Sequence, residues 1–201
     1  MRTSSTDPLR IDRVSLPDCA GEIGMTICPG KRDLYPLSGG DAWDRNLGDD
    51  LDTIRKQQAT TLITLLEHHE FRLLGVEDLE AGARKRGMSW VHLPIRDGDA
   101  PGRDLGRLWP GASEALHREL SRGALIVLHC RGGLGRTGTV AARLLMERGV
   151  AVEEAIHQVR KARPGAIETR EQEDYLRSLP RQADFANIVM QFARAAGELH
   201  G

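Results

Sequence analysis

The residues Ala124-Leu125-Ile126-Val127-Leu128-His129-Cys130-Arg131-Gly132-Gly133-Leu134-Gly135-Arg136-Thr137-Gly138 pass from one kind of pattern to another. The apolar run after Gly123 has the length and β-branched content of a buried strand, and helical periodicity returns after Arg136. The pattern predicts a strand, a loop and a helix N-terminus. Glycines at 132, 133 and 135 allow backbone angles that let successive N–H groups turn inward around an anion. The helix that follows adds the positive end of its dipole. A cysteine at the base of such a cradle is favoured as its thiolate. The planar fork of Arg136 can hold two oxygens of a phosphoryl group. A cysteine after a strand is often only a small buried hydrophobe, and a glycine-rich turn only a turn. Neither accounts for Arg136, for the Thr137 hydroxyl or for the helix start. The phosphate loop of kinases is excluded, because no Gly-Lys-Ser/Thr follows the glycines.

At this point the chain resembles a known family. His-Cys-x5-Arg-Thr is similar to the signature of the cysteine-dependent protein tyrosine phosphatases. Cys-Arg-Gly-Gly-Leu-Gly-Arg resembles their dual-specificity branch, and within it most of all the kinase-associated subgroup. The likeness continues in Leu93-Pro94-Ile95-x-Asp97-Gly98 and in Gly165-Ala166-Ile167-Glu168-Thr169-x-x-Gln172, and spans roughly residues 23–179. It implies an α/β fold: a central mixed sheet flanked by helices, with the phosphate-binding loop between a strand and a helix.

The resemblance implies phosphoryl transfer to Cys130 and hydrolysis of the thiophosphate. Arg131, Gly132, Gly133, Leu134, Gly135 and Arg136 would hold the phosphate. Asp97 would be the general acid, although an Asp-Gly pair also opens turns on its own. The Thr137 hydroxyl can donate to the sulfur, and can equally cap the helix. His129 would support the loop, while Arg131, a long charged side chain on the rim, either steers anions or is simply solvated. Glu168 stands where the family commonly has Gln. An uncharged amide beside a bound dianion avoids like-charge repulsion, so Gln172 is favoured for orienting the hydrolytic water. Asp99 precedes Ala100-Pro101 and a helix, a place where an acidic residue caps free N–H groups.

Composition narrows the partners. With 28 basic and 29 acidic residues, the chain has no overall bias toward nucleic acid or an anionic membrane. No apolar run reaches the ~18 residues of a membrane span, and residues 1–8 lack the apolar core of a leader. A cytoplasmic protein is expected. The cysteines Cys19, Cys28 and Cys130 have neither metal-binding spacing nor an even count for a disulfide framework, and no cofactor or metal is implied.

Along the chain, residues 1 to about 10 read as loose, 11–16 and 22–27 as strands, and 29–44 as loop. Helical spacing covers 47–59; 60–66 reads as a strand, 77–87 as a charged helix and 89–93 as a strand. Leu105, Leu108, Trp109, Ala112, Leu116 and Leu120 draw one apolar stripe over 103–121. Further helices follow the glycine loop, one of them stopping at Pro164-Gly165. Phe185, Ile188, Val189 and Phe192 mark a last amphipathic helix. The expected organisation is an N-terminal extension (1–22), a catalytic domain (23–180) and a C-terminal helix (181–201) docked on it.

The implied activity is hydrolysis of phosphotyrosine, with phosphoserine and phosphothreonine open, and a phosphorylated protein as substrate. Phosphoinositides or other phosphomonoesters are alternative substrates for the same loop. Lipid-specific relatives tend to carry loop lysines, which are missing here. A rhodanese-like sulfurtransferase requires neither the Arg136-Thr137 pair nor Asp97. A weakly active phosphoprotein-binding module would not need Cys130, Arg136 and Asp97 all intact.

Overall fold

Residues 1–35 and 41–180 are described by the structure, a computed structural model. In chain order their elements are β1 (Asp12–Ser15), β2 (Glu22–Thr26), β3 (Arg32–Asp33), β4 (Trp43–Asp44), α1 (Leu47–Lys56), β5 (Ala59–Thr64), α2 (His68–Leu73), α3 (Leu79–Lys85), β6 (Ser89–His92), α4 (Arg103–Ser121), β7 (Leu125–His129), α5 (Gly135–Glu147), α6 (Val152–Ala162) and α7 (Arg170–Ser178). The expected C-terminal unit, 181–201, lies outside the described residues.

The strand predicted from the apolar run is β7, every residue of which is buried. It lies at the centre of a five-stranded sheet of order β1-β2-β7-β5-β6. β2 and β5 flank it in parallel, β6 pairs parallel with β5, and β1 closes the other edge antiparallel. The sheet is therefore mixed, as expected, and the loop leaves the carboxyl end of its central strand, where open α/β sheets place ligands.

A strand buried on both faces sends alternate side chains to two cores. Ile126 and Leu128 of β7 pack with Ile63, with Leu116 and Leu120 of α4 and with Val140, Leu144 and Leu145 of α5. Leu125 and Val127 face the other way, toward Leu51 and Ile54 of α1 and Leu79 of α3. Cys130 packs with the first core and Cys28 with the second, and the Cys28 N–H faces the carbonyl of Arg131 at 3.4 Å. Among the described residues no helix is long and apolar enough to cross a membrane.

Several local expectations are corrected. Residues 1–10 are tied down: Arg2 exchanges backbone hydrogen bonds with Ala42 and Asp44, its guanidinium pairs with Asp41 at 2.7 Å, and Leu9 is buried. The loop 29–44 contains the short β3–β4 ladder. The charged helix is shorter than 77–87, and α2 and α7 were not anticipated. In α4 the stripe holds for Leu105, Trp109, Leu116 and Leu120, but Leu108 is half exposed. Among the described residues Asp99 makes no cap: Gly102 is the N-cap of α4 with no side-chain cap of its own, and the Asp99 carboxylate lies 3.7 Å from Arg96.

Candidate active site

The chain turns from β7 into α5 within five residues, and the turn depends on Gly133. Its φ is +70°, and a Cβ there would lie 2.2 Å from the carbonyl oxygen of Thr26. A side chain is excluded on both counts. Cys130 is buried at the base of the turn, its Sγ accepting the Gly133 N–H at 3.2 Å. The loop is held from outside by Arg163, a residue the sequence reading did not single out. Its guanidinium donates to the carbonyls of Gly133 and Gly132 and to Asp12 of β1 at 2.7 Å. Carbonyls drawn outward leave the N–H groups on the inner side.

Arg136 enters this site from α5, almost fully buried. Glu70 of α2, which the sequence reading missed, receives both terminal nitrogens of its guanidinium. The carbonyl of Ile95 takes a further bond at 3.1 Å, and Asp97 lies 2.8 Å from Nη2. Burial disfavours the guanidinium's charge, but Glu70, Cys130 and Asp97 outweigh it and raise its pKa above the usual arginine value. The Nε of Arg136 is buried with no hydrogen-bond partner among the described residues. The Thr137 hydroxyl is in the same condition. Thr137 is thus neither the helix cap, since the N-cap is Leu134, nor hydrogen-bonded to the sulfur as placed here. Orphaned buried polar atoms are costly, and two of them on consecutive residues at the start of α5 mark a place where an oxyanion fits.

His129 faces away from Cys130, into the second core. Its Nε2 meets the Thr64 hydroxyl at 2.8 Å, which in turn accepts the Trp90 indole N–H at 2.9 Å. Its Nδ1 faces the Cys130 carbonyl at 3.4 Å. The hydrogen-bond sequence Trp90 to Thr64 to His129 leaves Nε2 as acceptor and Nδ1–H as donor. Burial, only partly offset by the bond to Cys130, lowers the His129 pKa to about 3. The imidazole is neutral at physiological pH.

Arg131 is neither free nor aimed into the cradle: it donates to Asp33 of β3 at 2.8 Å, and Lys31 lies 3.7 Å from the same carboxylate. Gln172 is buried, with Oε1 accepting the N–H groups of Glu168 and Thr169 and Nε2 donating to the Asp99 carbonyl. Its amide ties α7 to the segment that carries Asp97. Both Glu168 and Gln172 reach the loop: Glu168 accepts the Gly135 N–H at 2.7 Å, and a Cβ at Gly135 would lie 2.9 Å from the Gln172 Nε2. The structure thus brings together Cys130, Gly132, Gly133, Leu134, Gly135, Arg136, Thr137, Asp97, Glu168 and Gln172.

Comparison with known proteins matches residues 40–150 to the family described as "Polymorphic toxin system, DSP-PTPase phosphatase". The cyclin-dependent kinase inhibitor 3 of Rattus norvegicus is 31% identical over 176 residues, covering 84% of this chain and 77% of the relative. A solved kinase associated phosphatase, its catalytic-site cysteine substituted by serine, superposes with a TM-score of 0.72 at 27% identity, covering 84% of this chain and 92% of that one. Tk-PTP in its active form gives 0.57 at 30% identity, over 76% and 97%.

Proposed function

The chain belongs to the DSP-PTPase phosphatase family, and from that premise we propose that it hydrolyses phosphoproteins by way of a phosphocysteine on Cys130. The observation that carries the reading is the pair of unpartnered buried donors, Arg136 Nε and the Thr137 hydroxyl, in the first turn of the helix that follows the buried Cys130 thiol. In the first step the Cys130 thiolate attacks phosphorus, the bond to the leaving oxygen breaks, and Asp97 gives that oxygen its proton. The contact between Asp97 and Arg136 supports the position of the acid, since it keeps the carboxyl at the mouth of the loop. A guanidinium neighbour favours the carboxylate, so Asp97 donates once the phosphoryl group has taken its place on Arg136. In the second step water attacks phosphorus, Asp97 takes the water's proton, and the S–P bond breaks toward a thiolate that receives the Thr137 hydroxyl hydrogen bond. Splitting the transfer divides one difficult displacement into two easier ones.

Arg136 binds two phosphoryl oxygens, Glu70 and Arg163 position the groups that do so, and His129 braces the loop without moving protons. Gln172 orients the segments around the hydrolytic water. Three free cysteines suit a reducing, cytoplasmic setting.

The test is turnover of p-nitrophenyl phosphate and of a phosphotyrosine, phosphoserine and phosphothreonine peptide panel by wild type and Cys130→Ser. Wild type should turn over at least the phosphotyrosine peptides with chelator present, and the variant should be inactive. Strict metal dependence would overturn the proposal, as would turnover of phosphoinositides with none of phosphopeptides.

A further inference from the structure

The phosphate cradle holds an anion of its own. Helix α5 begins at Gly135 with no side-chain cap from Leu134 and no acidic residue in its first turn. The anion at that terminus comes instead from the turn between α6 and α7, where Glu168 Oε2 accepts the Gly135 N–H at 2.7 Å. Glycine at 135 is what allows the approach, since a Cβ there would lie 2.6 Å from that oxygen.

The carboxylate is held in place rather than resting there. Gln172 Oε1 accepts the Glu168 N–H, and Arg160 donates to the carbonyls of Ala166 and Ile167 just before it. Ile167 itself has φ +59°, a left-handed conformation that a β-branched residue rarely adopts, and its N–H faces the Leu134 carbonyl. The unpartnered Arg136 Nε and Thr137 hydroxyl on the next two residues point to an oxyanion in the same loop. A phosphoryl oxygen that takes the Gly135 N–H must share it with a like charge or displace that charge.

We infer that Glu168 is a specificity-determining residue that competes with the bound phosphoryl group for the Gly135 N–H, and so loosens the hold of the site on dianions, product phosphate included. This rests on the function proposed above. Its consequence is an enzyme that sheds inorganic phosphate readily, at the expense of a higher KM for dianionic substrates. Glutamine at 168 keeps an acceptor for Gly135 and removes the charge.

The experiment is calorimetric titration of the full chain with tungstate and with inorganic phosphate, in wild type, Glu168→Gln, Glu168→Asp and Glu171→Gln. Glu168→Gln should bind both anions about tenfold more tightly, which is one factor of ten for the removal of a single repulsive charge, and its KM and its inhibition constant for phosphate should fall together. Glu168→Asp, too short by a methylene to reach Gly135, should shift in the same direction and guards against a folding defect peculiar to one variant. Glu171→Gln removes the same net charge from the exposed start of α7 and should match wild type. Equal affinities in wild type and both Glu168 variants would overturn the inference and leave the phosphatase reading standing, as would an equal gain in Glu171→Gln, which would make the effect one of net charge. Binding of neither anion by any of the four proteins would remove both.

Discussion

Acidification from pH 7 to pH 5 should cost this fold stability through one residue, His129. The folded imidazole is held at a pKa of about 3 by burial, with the bond to the Cys130 carbonyl only partly opposing the shift, whereas the unfolded chain titrates near 6.5. The folded pKa is the depressed one, so below pH 6.5 the unfolded state takes up a proton that the folded state refuses. The stabilisation is complete above that pH and is lost progressively toward pH 3. Integrating over the two pH units, at 1.36 kcal/mol per unit, gives a loss of about 2 kcal/mol. Carboxylates contribute as well, and so does His92, whose pKa burial also lowers. Those contributions are common to wild type and to His129→Gln, in which an amide can still meet the Thr64 hydroxyl. Urea unfolding of both proteins at pH 7 and pH 5 isolates the difference. The variant should start less stable yet lose about 2 kcal/mol less on acidification. Equal losses would show that His129 titrates normally and that the hydrogen-bond chain through Thr64 and Trp90 does not hold it neutral.

Asp97→Asn should lower kcat by roughly 10²-fold or more for alkyl phosphates and much less for aryl phosphates with acidic leaving groups. Asp99→Asn, whose exposed side chain neither caps α4 nor meets the loop, should leave turnover intact and stability within about 0.5 kcal/mol; a leaving-group-dependent loss there instead would reassign the acid. Glu70→Ala strands the buried guanidinium of Arg136 and should cost about 3–5 kcal/mol by urea unfolding, with a cost near zero refuting the importance of that pair. Dilute peroxide should oxidise Cys130 in preference to Cys28, reversibly with thiol, because Cys28 is fully buried and burial pushes its pKa up. Mass spectrometry showing Cys28 modified as readily as Cys130 would contradict that.

The loop was legible because its chemistry is contiguous: one strand, one thiol, four glycines and two arginines within fifteen residues leave a single geometry. Glu70 was not legible. It lies far upstream in a helix of six residues, and its capping-box partner is Glu67 rather than Ser or Thr, so the usual signature for a helix start was missing. Helix α7 was hidden by its composition, since it buries only Gln172 and Leu176 and otherwise shows charge to solvent. Arg163 was not legible either, because nothing near Pro164-Gly165 reveals that the segment returns to the loop. The error over Thr137 has the same origin: a helix start displaced by three residues turns a cap into an interior position. Glu168 escaped for a different reason. Charge repulsion argues for an amide at the phosphate, and only the fold shows a carboxylate accepting the Gly135 N–H with the Gln172 amide beside it.

The central claim, that Cys130 is the nucleophile, is tested most directly by trapping the intermediate. Wild type mixed with a phosphotyrosine peptide, quenched within a single turnover and digested, should yield a Cys130 peptide carrying one phosphoryl group. The adduct should persist longer in Asp97→Asn, where water loses its base, and should be absent in Cys130→Ser. Turnover with no phosphate on Cys130 at any quench time, or phosphate found on another residue, would contradict the account.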